Sequence, residues 1–166
     1  MFWLIVSEAS RPSRAGVETI ETPTAGAMLA AADVAFDLAF LAAAVADYRP
    51  AEVLAGKRAK SAESWTLELE PTVDIARTLG ERKRPGQVLV AFGAEHGEGG
   101  LERKRTMLAE KNVDLVVYND VSRTDIGFDA PENEVVLVAR DGERRIPKAS
   151  KAAVAAAILD EVERLL

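Results

Sequence analysis

The run at residues 38–50, Leu-Ala-Phe-Leu-Ala-Ala-Ala-Val-Ala-Asp-Tyr-Arg-Pro, constrains the fold most. Its first half is continuously apolar, as in a strand covered on both faces of a parallel sheet, although a buried helix has the same pattern. We therefore predict a central strand at residues 38–43. The run then ends abruptly in polar residues, and open α/β sheets bind ligands at the carboxyl ends of their strands. Asp47 is accordingly a candidate binding residue, and a cap of a surface turn is the alternative.

Apolar runs and turn residues divide the rest of the chain into alternating strands and helices, which predicts an α/β domain with a mainly parallel sheet. A late hairpin around Asp141-Gly142 predicts an antiparallel addition at one edge of this sheet. Thr24 and Ser150 are predicted to cap the first and last helices. Strands are predicted at 2–6, 17–20, 65–70, 88–92, 115–118, 135–139 and 143–146, helices at 25–36, 73–84, 101–111 and 151–166, and a loop at 7–16.

The composition limits the class of protein. The chain has 166 residues, of which 48% are apolar and 29% charged, so we predict that residues 1–166 form a single domain. A net charge of -6 disfavours nucleic acid as a partner. The chain has no cysteine, which excludes disulfides and thiol catalysis and is typical of the reducing cytoplasm. The apolar stretch at 2–6 is too short to span a membrane, so no membrane partner is expected.

Polar residues follow three of the predicted strands. Because the carboxyl ends of parallel strands meet at one edge of a sheet, we expect these residues to lie together. Such an edge can bind a nucleotide, or hold Mg²⁺ through substrate phosphates. The alternative is that they are ordinary polar residues at the start of loops. They are Asp47 after the first strand, Gly93 and Glu95 after the second, and Asn119 and Asp120 after the third.

Basic residues form three clusters with different predicted roles. Lys57, Arg58 and Lys60 follow Gly56 in a predicted loop, from which a lysine can stabilise a phosphoryl group in the transition state. A solvated surface loop is the alternative. The basic runs at 82–84 and 103–105 are predicted to be solvated helix faces. His96, the single histidine, is predicted to lie at the surface, and a role in proton transfer is the alternative. A transition-metal site is not expected, because no cysteine or second histidine would join His96 in it.

The motifs resemble those of one family. Ala-Ala-Ala-Val-Ala-Asp-Tyr-Arg-Pro at 42–50, followed by Lys-Arg-Ala-Lys at 57–60, resembles the carboxy-terminal ligase domain of the bacterial phosphopantothenate–cysteine ligases, which are bifunctional coenzyme A biosynthesis proteins. The resemblance implies a Rossmann-like sheet flanked by helices and covers nearly the whole chain. It continues in order through the segments at 73–75, 90–95, 111–115, 119–122 and 127–128, and Asn133.

This resemblance implies a reaction and a set of site residues. The family joins 4'-phosphopantothenate to cysteine through an acyl-cytidylate, with CTP as co-substrate and Mg²⁺. Lys57 would be the catalytic lysine of a mobile loop, and no residue is assigned to bind a metal directly. The family is dimeric, and the alternating segment at 65–70, a plausible pairing edge, would help form a homodimer. The implied nucleotide-binding residues are Leu41, Ala42, Ala43, Asp47, Lys57, Val73, Asp74, Ile75, Ala76, Phe92 and Lys111.

The chain departs from the family pattern in three places. Met107 stands where a second lysine is usual, with Lys104 one turn earlier as a candidate substitute, and His96 stands where threonine is common. The family's first strand, its Gly-containing turn and the following helix have no counterpart, and neither has an asparagine that helps hold the acyl-cytidylate. We therefore expect a truncated ligase, or a chain completed by another polypeptide. The alternatives are a catalytically incomplete nucleotide-binding fragment and an interaction domain whose polar strand ends are incidental.

Overall fold

The computed structural model describes residues 2–6, 16–96, 99–122, 125–126 and 130–166. Residues 7–15 of the predicted loop at 7–16, and the motif at 127–128, lie outside these residues. The chain divides into two compact units, described separately below, and the single domain stays a prediction. Unit 1 comprises Met1–Asp33 and Ala44–Ile75, and unit 2 comprises Val34–Ala43 and Ala76–Leu166.

The elements alternate along most of the chain, as the sequence predicts. No helix in the described ranges is long and apolar enough to cross a membrane. The strands are β1 (Phe2–Val6), β2 (Val17–Glu21), β3 (Leu38–Leu41), β4 (Tyr48–Pro50), β5 (Leu69–Pro71), β6 (Val88–Glu95), β7 (Leu115–Asp120), β8 (Glu132–Ala139) and β9 (Gly142–Ser150), and the helices are α1 (Ala25–Ala32), α2 (Ile75–Arg82), α3 (Gly99–Glu110) and α4 (Lys151–Glu163).

Unit 1 contains two small sheets. In the first, β1 pairs in parallel with β2. The second consists of β4 and β5, which pair antiparallel with Tyr48 opposite Pro71. The predicted cap of α1 is confirmed, because the Thr24 side chain accepts a hydrogen bond from the backbone N–H of Ala27 at 3.1 Å. The helix ends at Ala32, four residues earlier than predicted, and the N–H of the capping residue Asp33 donates to the carbonyl of Leu29.

Unit 2 is built on a five-stranded sheet with the order β3-β6-β7-β8-β9. β3, β6 and β7 are parallel, whereas β8 and β9 form the predicted antiparallel hairpin, with Ala139 opposite Gly142 at the turn. This confirms the Rossmann-like α/β class with an antiparallel addition. The predicted cap of α4 is also confirmed, because the Ser150 side chain accepts from the N–H of Ala153 at 3.2 Å.

The core of unit 2 lies between the sheet and α4. Strand residues that point to one face pack with Val154, Ile158 and Val162 of α4. Helix α3 lies on the opposite face, since its Gly100 meets the Tyr118 ring of β7, while Leu115 and Val117 of β7 belong to the α4 core. The strand residues of the core are Val88, Val90, Leu115, Val117, Val135, Leu137 and Ile146.

Two predictions about strands are wrong. The run at 38–43 is not a covered central strand, because β3 ends at Leu41, lies at the edge of the sheet and leaves Phe40 41% exposed. The covered strand is β6, in which four consecutive residues from Val88 are buried. The predicted strand at 65–70 is limited to β5, since its partner β4 offers only three residues for pairing.

Candidate functional site

The carboxyl ends of β6 and β7 lie side by side in unit 2. Glu95 is paired in register with Asp120, and Ala94 with Asn119, so the predicted common edge exists for these two strands. Asp47, in contrast, is not at the carboxyl end of a strand. It lies six residues beyond the end of β3, belongs to unit 1 and directly precedes β4.

On the α3 face of this edge, the polar groups are already paired. The side chain of Glu95 accepts hydrogen bonds from Arg103 and Lys104. The Arg103 hydrogen bond and then the Lys104 interaction hold the pKa of Glu95 below its usual range, against the opposing effect of burial. A methyl group at Gly93 would overlap the Lys104 side chain, which is only 12% exposed. The prediction that 103–105 form a solvated face is therefore wrong for Lys104.

The α4 face of the same edge is partly exposed. Because side chains alternate along a strand, Phe92 points to the same face as Val88 and Val90, but it is 38% exposed. Asn119 shares this face with Leu115 and Val117 of the core. Its side-chain oxygen is buried and has no hydrogen-bond partner among the described residues. This face thus combines an exposed aromatic ring with an unused acceptor.

The amino end of the same strands is closed by hydrogen bonds, and Lys111 lies there. Helix α3 ends at Glu110, and two residues later Asn112 adopts φ 49° and donates from its side chain to the carbonyl of Gly80 at 2.8 Å. Asp114 pairs with Lys83 at 2.5 Å and accepts from the N–H of Leu89 at 2.8 Å. The Lys83 side chain is only 9% exposed, so the predicted solvated face at 82–84 is wrong for this residue.

In unit 1 the structure brings two predicted segments together. The backbone N–H of Thr72 donates to the carbonyl of Asp47 at 2.8 Å, and the Thr72 hydroxyl donates to the carbonyl of Ala46 at 2.5 Å. Asp47 therefore lies beside Val73, the first residue of the predicted nucleotide-binding segment. Lys57 is exposed in a segment without helix or strand.

The predicted site residues fall into two groups. The structure joins Asp47 with the segment at 73–75, whereas it puts Lys111 and Phe92 towards opposite ends of β6 and β7. Their binding roles stay predictions. The sequence predicted Asn119 at the shared edge of the sheet but gave no sign that its side-chain oxygen lacks a hydrogen-bond partner. Unit 1 holds Asp47, Lys57, Val73, Asp74 and Ile75, and unit 2 holds Leu41, Ala42, Ala43, Ala76, Phe92 and Lys111.

The described residues contain no group of three or more His, Cys, Asp or Glu side chains that could hold a metal ion. Mg²⁺ bound through substrate phosphates needs only one or two carboxylates, so this donor set fits a magnesium ion that binds together with a nucleotide. Asp47 supplies an exposed carboxylate in the part of the chain that the structure describes.

Comparisons with known proteins give a family and a fold. The family described as "DFP: DNA/pantothenate metabolism flavoprotein C-terminal domain" matches residues 2–166. The coenzyme A biosynthesis bifunctional protein CoaBC of Bacillus subtilis is 43% identical over 79% of this chain. The chain spans 32% of that relative's length.

Two solved structures are similar to the chain. The C-terminal domain of a CoaBC protein has a TM-score of 0.75 at 34% identity, covering 98% of this chain and 75% of its own. A mutant of Cab2 in complex with phosphopantothenate-cysteine has a TM-score of 0.52 at 21% identity, covering 76% of this chain and 44% of its own. The second likeness concerns the fold alone.

Proposed function

Because the chain belongs to the DNA/pantothenate metabolism flavoprotein C-terminal domain family, we propose that it is the CTP-dependent ligase part of a coenzyme A biosynthesis protein. It would join 4'-phosphopantothenate to cysteine in the cytoplasm. The observation that carries the proposal is the hydrogen bonding of Ala46 and Asp47 to Thr72, which brings together two motif segments that are far apart in sequence.

The proposed reaction has two steps. The substrate carboxylate attacks the α-phosphate of CTP, the bond to pyrophosphate breaks, and an acyl-cytidylate forms. The cysteine amine then attacks the acyl carbon, loses a proton and displaces CMP. Both steps depend mainly on positioning and on stabilisation of phosphoryl charge, which requires no nucleophilic side chain. When bound, Mg²⁺ would neutralise charge on the triphosphate.

The chain's own residues have distinct roles in this proposal. The small side chains of Ala42 and Ala43, both exposed, would let the nucleotide approach the backbone after Leu41. Phe92 offers an exposed ring for apolar contact with the nucleotide. Asp47 and the segment at 73–76 would bind the nucleotide.

The two lysines of the proposed site have different support. Lys57 would stabilise negative charge on the α-phosphate during formation of the acyl-cytidylate, and its exposure leaves it accessible to a ligand. Lys111 is proposed on the family motif alone, since its backbone lies at the closed amino end of β7.

Release of pyrophosphate from CTP and 4'-phosphopantothenate tests the proposal. We expect Lys57→Gln to reduce the rate on the order of 10²-fold, because one preorganised cationic contact to the transition state is lost. Lys60→Gln, an exposed change in the same segment, is the matched control. Unchanged release in Lys57→Gln would remove this lysine from the mechanism. CTP binding without any pyrophosphate release by the wild-type chain would favour the incomplete nucleotide-binding fragment.

We also propose a homodimer. Unit 1 exposes several large apolar side chains in one segment, as is typical of an interface between subunits. Trp65 is 55% exposed and stacks against Arg58, whose guanidinium lies 4.5 Å from the ring centroid. Sedimentation equilibrium tests the assembly, and Leu67→Glu is expected to shift it towards the monomer. The exposed apolar residues of this segment are Val53, Leu54, Trp65, Leu67 and Leu69.

A further inference from the structure

The side-chain oxygen of Asn119 is an unusual feature of unit 2. It is buried and accepts no hydrogen bond from any described residue. A buried acceptor without a partner lowers the stability of a fold, and most buried acceptors in proteins have a partner. An unsatisfied acceptor therefore indicates either a structural cost or a group that a ligand completes.

The position of Asn119 favours a ligand. Phe92 on β6 is opposite Val117 on β7, and Asn119 lies two residues beyond Val117. The Cα atoms of Phe92 and Asn119 are therefore about 8 Å apart. Both side chains point to the α4 face, and Phe92 is 38% exposed there. The unused oxygen, which is itself buried, and the exposed ring thus lie on the same face of the sheet at its carboxyl end, where the Asn119 side chain as a whole is partly exposed.

The neighbouring polar side chains at this edge are used within the protein. The carboxylate of Asp120 accepts a hydrogen bond from the N–H of Ser122 at 2.9 Å. Glu95 is paired with Arg103 and Lys104 on the other face. Three polar side chains end β6 and β7. Of these, only Asn119 has a buried side-chain acceptor without a hydrogen-bond partner in the part of the chain that the structure describes.

We propose that Asn119 is a specificity-determining residue whose side-chain oxygen accepts a hydrogen bond from an amino group of a bound substrate. This inference rests on the proposed function, in which two substrates carry an amino group. One is the amino group of the cytosine base, and the other is the amine of cysteine. Asn119 accepts from either N–H, whereas the keto oxygen of a uracil base offers it no donor.

Asn119→Leu tests the inference, because it removes the oxygen and keeps a similar volume. Titration with CTP and with UTP, and the KM for cysteine, separate the two sources of the amino group. If the base is the donor, the affinity for CTP falls on the order of tenfold and that for UTP is unchanged. If cysteine is the donor, its KM rises by a similar factor and nucleotide binding is unchanged. In both cases Tm rises without substrate, since an unsatisfied buried acceptor is gone.

Two further variants control the measurement. Asn119→Asp keeps an acceptor at this position and is expected to retain the preference that Asn119→Leu loses. Thr19→Val removes the other buried side-chain oxygen without a partner among the described residues, on β2 of unit 1, and is expected to raise Tm without changing affinity or KM. If Asn119→Leu does not fold, Asn119→Ala replaces it in the same assays.

Other outcomes overturn the inference. Unchanged affinities and an unchanged KM in Asn119→Leu, with a wild-type chain that binds CTP, would reject the role of Asn119 and leave the proposed function intact. An equal loss for CTP and UTP would indicate a contact shared by both nucleotides and would also reject it. A wild-type chain that binds no CTP and releases no pyrophosphate would reject the proposed function together with this inference.

Discussion

The two ends of β6 and β7 differ in how they use their polar groups. At the amino end, Asp114 is bonded both to Lys83 and to the backbone of Leu89. At the carboxyl end, the α4 face leaves Phe92 exposed and the oxygen of Asn119 without a partner among the described residues. The amino end therefore stabilises the fold, and the carboxyl end contains the group that we propose a ligand completes.

This difference separates residues with a structural role from a residue with a proposed binding role in two neighbouring segments of the family motifs. In the segment at 111–115, Asn112 has a positive φ in the turn after α3 and donates to the carbonyl of Gly80, and Asp114 accepts from the N–H of Leu89 on β6. Both side chains thus contribute to the fold, and the motif does not by itself indicate a binding site. The segment at 119–122 lies at the opposite end of the same strand, where the buried side-chain oxygen of Asn119 has no hydrogen-bond partner among the described residues.

The largest expected effect at the amino end is that of Gly80→Ala. A methyl group there would overlap the backbone carbonyl of Lys111, which cannot move without shifting the end of α3. We expect a loss of about 3 kcal/mol in the free energy of unfolding. This net loss already includes the higher helix propensity of alanine, which favours the variant by about 1 kcal/mol. Urea denaturation measures this loss.

Gly93→Ala at the carboxyl end is the matched control. Its added methyl group would meet only the flexible end of the Lys104 side chain. We expect a smaller loss of about 1 kcal/mol, because the flexible Lys104 side chain shifts more readily than a backbone carbonyl but weakens its pair with Glu95 when it does so. Equal losses for the two variants would show that the backbone at the amino end is no more rigid than the side-chain packing on the α3 face of the carboxyl end.

Asp114→Ala is expected to give the next largest effect. It leaves the mostly buried Lys83 without its carboxylate and the N–H of Leu89 without its acceptor. Removing one partner of a buried pair costs about 3–5 kcal/mol, and partial exposure of Asp114 reduces this to about 2 kcal/mol. Asp125→Ala, which breaks the exposed pair with Lys148, is the control and should cost less than about 1 kcal/mol. Similar values for both would show that the amino end is not specially stabilised.

Much of the fold could be predicted because its signals are local. The caps at Thr24 and Ser150 and the turn at Asp141-Gly142 depend on residues within a few positions of each other. The alternation of strands and helices gave the class of the sheet for the same reason.

The remaining features depend on partners that are distant in sequence. The segments around Lys83 and Lys104 are basic and predict solvated side chains. Both lysines are instead mostly buried and paired with carboxylates from other segments, Lys83 with Asp114 and Lys104 with Glu95. The edge position of β3 depends on which strand pairs beside it, which an apolar run does not specify. The polar end of β7 was predicted, whereas the missing partner of the Asn119 oxygen required coordinates.

The smallest expected effect concerns the α3 face of the carboxyl end, and it depends on pH. Since the pKa of Glu95 is lowered in the folded state, mainly by the hydrogen bond from Arg103, its ionised form stabilises the fold. That contribution is fully present above the unfolded pKa of Glu95 and is lost as pH falls through the lower, folded pKa. Glu95→Gln should therefore cost about 1 kcal/mol near neutral pH and progressively less in acid. Urea denaturation of both proteins between about pH 7 and pH 3 measures the difference in their free energies of unfolding. A difference that does not change with pH would mean that the charge of Glu95 does not stabilise the fold.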